Sequence, residues 1–212
     1  MSGGELPRFG FIHVPKNAGT SVVSAIREHA LPIVVASHHY PARLAAEEIV
    51  VLRDPVERFV SAFYYGRAFW ANPVNANFRT ADSLAIAASD TDDALHAMAW
   101  HELGNRPEDY LLRDGAARAP QTVGGVATRL CWVYEPQSTW LVHAPRHHLR
   151  QRRLAEDFRD LLGQLDLGPV PGLPRLNVSD NPGERLSTRA RQFLETLYAD
   201  DYRYLRDHGI DA

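Results

Sequence analysis

Apolar residues along this chain gather first in short runs and later at helical spacing. Residues 8–14, RFGFIHV, are apolar and β-prone, which predicts a buried strand. Pro15 to Thr20 then make a turn. After it SVVSAIREHA carries Val22, Val23 and Ile26 on a helical period, with Thr20-Ser21 as the expected cap. Two further apolar runs, Ile33 to Ala36 and Ile49 to Leu52, predict short strands. The second ends at Arg53-Asp54-Pro55. Pro55 suits the first position of a helix over 55–69, where Val56, Phe59, Val60, Phe63 and Tyr64 recur at helical spacing. Residues 71–91 are polar and irregular and predict a surface excursion, and a helix is expected over 92–103. Residues 106–128 look loosely organised, and 129–134 read as a strand or buried turn. Beyond them the pattern predicts helix at 137–142, a strand at 147–151 and an amphipathic helix at 154–165. A Pro- and Gly-rich loop follows over 168–184, then helices near 187–198 and 200–208. Short strands alternating with helices favour an α/β fold with a central parallel sheet flanked by helices, here as a single domain over 1–212.

Composition narrows the function. At 212 residues the chain can bury a core of ordinary size, and a net charge of -3 argues against a broad nucleic-acid-binding surface. A single cysteine, Cys131, gives neither an intramolecular disulfide nor a cysteine zinc cluster. The first ten residues lack a charged head followed by a long apolar stretch, so no signal peptide is expected. No window has the apolar length of a membrane span, and a cytoplasmic location is the default. Lys16 is the only lysine, and all the other basic residues among the 23 Lys and Arg are arginine. A position that keeps lysine in so arginine-biased a chain is a candidate for needing a compact ammonium rather than a planar guanidinium.

Lys16 lies in VPKNAGTS, between the first strand and the first helix. Backbone N–H groups of Asn17, Ala18, Gly19, Thr20 and Ser21 at a helix start attract an anion by hydrogen bonding and by the helix dipole. Gly19 permits close approach, and Thr20 and Ser21 add hydroxyls. The pattern is not Walker A, because Lys16 precedes the glycine. The second unit is VVLRDPVERFVSAFYY. There Arg53 at a strand end and Ser61 on the next helix can together clasp a second phosphate, with Arg58 reaching the same anion or pairing with Asp54.

Together the two units resemble sulfotransferases that use 3′-phosphoadenosine 5′-phosphosulfate (PAPS), nearest the carbohydrate-type family that includes the heparan sulfate 2-O-sulfotransferases and bacterial relatives. FIHVPKNAGTS is similar to that family's 5′-phosphosulfate loop and VVLRDPVERFVSAFYY to its 3′-phosphate motif. EPQSTWL, RRLAEDFRDLL, LPRLNVSDN and LYADDYRYL resemble later segments of the family. The resemblance implies a P-loop-like sulfotransferase fold with PAPS as co-substrate and a sugar or small-molecule hydroxyl as acceptor. It implies that Lys16 is catalytic, and that Asn17, Ala18, Gly19, Thr20, Ser21, Arg53 and Ser61 hold the donor. Arg175 and Asn177, in the late loop, join them. Sulfuryl transfer can run on fixed donors, so no metal is expected.

A hydroxyl acceptor calls for a general base, and histidine suits that role. The family's histidine follows a glycine and precedes an aromatic residue. Here His38-His39-Tyr40 matches with His39 in that place, and His38 is the alternative if the register is shifted by one. Related enzymes use glutamate, which leaves an acidic residue of 71–104 as a further candidate. His13 reads as a core residue behind the site, His147-His148 as a surface or strand-edge pair, and Trp140 as packing. The run Arg150, Arg152, Arg153 reads as a solvated face that an anionic sugar can use. Two other functions compete. A kinase-like phosphotransferase requires magnesium-dependent turnover of ATP, and a non-catalytic nucleotide-binding module requires no base at all.

Overall fold

The computed structural model describes residues 5–37, 43–71, 136–176, 186 and 188–211. Four strands, β1 (Phe9–His13), β2 (Ile33–Ser37), β3 (Glu47–Leu52) and β4 (His147–Arg150), form one sheet in the order β2-β1-β3-β4. All three neighbouring pairs are parallel, with Phe11 opposite Val35 and Ile49, and Val51 opposite Leu149. A parallel ladder needs crossovers, and α1 (Gly19–Glu28) supplies the one between β1 and β2. Later come α2 (Pro55–Ala71), a 3₁₀ turn over Gln137–Trp140, α3 (Leu154–Gln164), α4 (Thr188–Leu197) and α5 (Ala199–Asp207). The expected elements at 92–103 and 129–134 lie outside the described residues.

The chain divides into two compact units. The first comprises 1–54, 137–178 and 203–212, and the second 55–136 and 179–202. In the first unit, Phe9, Phe11, Ile49, Val51 and Leu149 point from one sheet face into a core closed by Val22, Ile26, Phe158, Leu161 and Leu162 of α1 and α3. Alternate residues Ile12, Val50 and Leu52 are also buried, so the middle strands are covered on both faces. This explains their unbroken apolar sequence where a half-exposed strand would alternate. At Gly10 a side chain has no room, since a Cβ would stand 2.9 Å from Ala45 Cβ and from Leu44 Cγ. In the second unit α2 packs on α4, with Val56, Phe59, Val60 and Leu194 buried.

The edge strand β4 is anchored by polar contacts. Arg150 grips Asp157 of α3 with Nε and Nη2 at 2.9 and 2.7 Å, while its backbone N–H donates to the same carboxylate at 2.8 Å. Arg153 pairs with Glu156 at 2.7 Å. Arg152 and Arg153 are exposed, as a solvated face requires, while Arg150 is drawn onto Asp157. His147 meets Glu47 at 2.9 Å, and this bond, with help from Arg146, holds the Glu47 carboxyl below its usual range. His148, on the other sheet face, shares a 2.8 Å hydrogen bond with the Tyr204 hydroxyl, and its ring lies 5.1 Å from that of His208. His147 and His148 are both half-buried on the outermost strand of the described sheet, which matches the strand-edge alternative of the sequence reading.

Burial, then the nearby His208 and His147, push the His148 pKa down from 6.5 to about 4. The unfolded chain therefore takes up this proton near pH 6.5 and the folded chain only near pH 4. Stability from this group is complete above pH 6.5 and is lost as pH falls towards 4. Melting temperature followed across that interval should decline less steeply in His148→Phe than in the wild type, and equal slopes would contradict the account.

Candidate active site

The strand order sets the site. From β1 the chain moves to one side to make β2, then returns past β1 to make β3 on the other side. The carboxyl ends of β1 and β3 therefore flank a crevice where connections diverge, the usual ligand position in an open α/β sheet. The residues that leave these two ends are the VPKNAGTS turn and Arg53-Asp54.

The turn is conformationally unusual. Lys16 and Ala18 have φ of 65° and 62°, in the left-handed region that side-chain-bearing residues avoid. Each such residue costs about 1 kcal/mol. Left-handed residues leading into a helix are the backbone form that turns N–H groups into an anion-binding concavity. Ala18 is the N-cap of α1 and offers no side-chain hydrogen bond. This corrects the expected cap at Thr20-Ser21, because the helix starts two residues before Ser21, at Gly19, and both hydroxyl residues fall in its first turn. Thr20 is exposed there, while Ser21 is buried and its Oγ accepts from the Leu176 N–H at 3.4 Å. That contact brings the late loop, with exposed Arg175, to the start of α1.

Gly19 and Asn17 have duties that the sequence reading did not assign. A Cβ at position 19 would collide with the His13 ring, 2.8 Å from its Nε2, so the missing side chain makes room for a histidine of β1. His13 is buried at the end of that strand, with its ring centroid 6.1 Å from that of Phe11. Asn17 is fully buried, and its Nδ2 donates to Val51 O and to Gln137 Oε1, both at 2.8 Å. Gln137 in turn donates from Nε2 to Arg53 O at 2.7 Å and accepts from Arg53 N at 3.3 Å. Arg53 is half-buried, and its Nη1 donates to Lys16 O at 3.3 Å. The guanidinium thus lies against the backbone of the lysine turn, and the two charged residues share one end of the sheet.

Ser61 is buried in the second turn of α2, within the second unit. Arg58, on the same helix, is fully buried, and with Asp201 it sets the electrostatic environment of Tyr198, whose hydroxyl is pushed up mainly by burial. His38, His39 and Asn177 lie outside the described residues. Among the described residues no group of His, Cys, Asp or Glu has the arrangement of a metal site, and no helix is long and apolar enough to cross a membrane. Gln137 is the site residue that sequence reasoning missed. It stood only within the EPQSTWL resemblance, and its partners lie 84 and 120 positions away. No family model, curated protein or solved structure matches this chain.

The contact between residues 13 and 19 is open to direct test. Gly19→Ala should destabilise the protein by about 1–3 kcal/mol through overpacking. His13→Ala in the same chain should recover part of that loss. Denaturant titration of wild type and the two variants gives the comparison, and a Gly19→Ala protein as stable as wild type would contradict the packing.

Proposed function

We propose that this protein is a sulfotransferase that moves a sulfuryl group from PAPS to a hydroxyl of a sugar or small molecule, on a P-loop-like sheet and in the cytoplasm. The observation that carries the reading is the meeting of the lysine turn and Arg53 at the crevice between β1 and β3, with Arg53 Nη1 on Lys16 O at 3.3 Å. A donor with phosphates at both ends of its ribose needs two cationic corners at a fixed separation, and this crevice offers a left-handed anion turn on one side and an arginine on the other.

In this reading the turn's N–H groups from Asn17 to Ser21, with the Thr20 hydroxyl, take the 5′-phosphate. Arg53 and Ser61 take the 3′-phosphate, and Arg175 and Asn177 close the late loop over the nucleotide. The acceptor oxygen attacks sulfur, the bond from sulfur to the bridging phosphate oxygen breaks, and the acceptor proton passes to His39, with His38 as the alternative base. Lys16 neutralises the charge left on the bridging oxygen. Fixed donors of this kind contribute about 3–4 kcal/mol each to transition-state stabilisation.

Calorimetric titration with 3′-phosphoadenosine 5′-phosphate against AMP tests the donor. The bisphosphate should bind at least about tenfold more tightly, the worth of one charge-assisted contact. Equal affinities would remove the 3′-phosphate assignment and the reaction with it. Lys16→Arg keeps the charge but replaces a point donor by a planar fork. Turnover should fall by about a hundredfold or more while bisphosphate affinity changes by only a few fold. A variant that keeps its turnover would show that Lys16 does not follow the leaving oxygen. Magnesium-dependent hydrolysis of ATP by the wild type would instead favour a phosphotransferase.

A further inference from the structure

We infer that Gln137 is the positioning residue of the crevice, holding the Arg53 corner and the lysine-turn corner at one fixed separation. The inference builds on the reading of this crevice as an anion site, although the contacts that carry it belong to the chain alone. Gln137 is 1% exposed, and its carboxamide makes three hydrogen bonds. Two of them go to the backbone N–H and C=O of one residue, Arg53, at 3.3 and 2.7 Å. That is the pair of bonds a neighbouring strand would make. Here a side chain makes it just past the last residue of β3, where the ladder has ended.

The third bond goes to the other corner. Gln137 Oε1 accepts from Asn17 Nδ2 at 2.8 Å, and the second hydrogen of that amide goes to Val51 O at 2.8 Å. Asn17 stands between the two left-handed residues Lys16 and Ala18, so fixing its side chain fixes the middle of the turn. A closed circuit results, from Asn17 to Val51, along the chain to Arg53, across to Gln137 and back to Asn17. Only a carboxamide donates and accepts at once with this reach, so methionine of nearly the same size removes all of these bonds, while glutamate loses the one donated to Arg53 O. Gln137 is absent from the apolar core of the first unit, which α1, α3 and the sheet complete without it. Its loss should therefore disturb the crevice and leave the core packed.

The experiment compares wild type, Gln137→Met, Asn17→Ala and the double variant. The first readout needs no ligand and is amide hydrogen exchange. The Arg53 N–H in Gln137→Met should exchange about tenfold faster or more, as expected for loss of its buried acceptor. Protection in β1 and α3 should stay unchanged. The second readout is titration with 3′-phosphoadenosine 5′-phosphate. Each single variant should bind about tenfold more weakly, and the double variant no worse than the weaker single, because the two amides act as one unit. Unchanged Arg53 exchange would overturn the inference, as would an equal loss of protection throughout the first unit or fully additive losses of affinity. Should Gln137→Met fail to fold, Gln137→Leu also lacks the acceptor and carries the same comparison. A wild type that ignores the bisphosphate would sink the sulfotransferase reading, while the exchange comparison would still decide the role of Gln137.

Discussion

The position of β1, paired on one edge to β2 and on the other to β3, is the constraint from which the rest of the first unit follows. A strand bonded on both edges and buried on both faces cannot shift register without breaking two ladders and moving Phe9 and Phe11 out of the core. Its carboxyl end is therefore the least movable point in the unit. The lysine turn starts there, one residue beyond His13. A turn with two left-handed residues is costly by itself, and it persists because the strand before it and the helix after it are both held by burial.

The elements set by local pattern were legible in the sequence. Strands β1 and β3 read as unbroken apolar runs because both of their faces are covered, and α3 read as amphipathic because only Leu154, Phe158, Leu161 and Leu162 face the core. The turn and Arg53 stood out as candidate chemistry, and the structure brings them together at neighbouring strand ends. What could not be read was the pairing of distant polar groups. Nothing local to Gln137 says that its amide meets residue 53, and nothing local to Gly19 says that the neighbour needing its space is a histidine six positions back. The start of α1 was misplaced for a related reason. Thr20 and Ser21 are good caps in isolation, but the left-handed Ala18 begins the helix before either can act as one.

The two ends of the sheet differ in how they handle polar groups. At the edge, β4 carries charges matched locally, Arg150 to Asp157 and His147 to Glu47. At the crevice the polar groups of Asn17, Gln137 and Arg53 are tied to backbone or to one another, through uncharged amides wherever the contact is buried. Neutral donors and acceptors can sit in the interior without the desolvation cost of ions. They also tie the backbone of Arg53 to the lysine turn without placing an ion in the interior. A carboxylate in the place of Gln137 would lose the bond to Arg53 O, and under the proposed reading its negative charge would weaken the attraction of the crevice for anions.

The backbone of Lys16 has one more consequence, for anyone who would improve this protein. At φ 65° glycine is the comfortable residue, and a lysine there is retained against the local preference of the chain. A selection for thermal resistance alone, blind to what the crevice binds, would replace the one lysine of the sequence with glycine and record a gain. The most heat-tolerant descendants of such a library would be those that had lost the ammonium, so under the sulfotransferase proposal stability and chemistry pull in opposite directions at this residue.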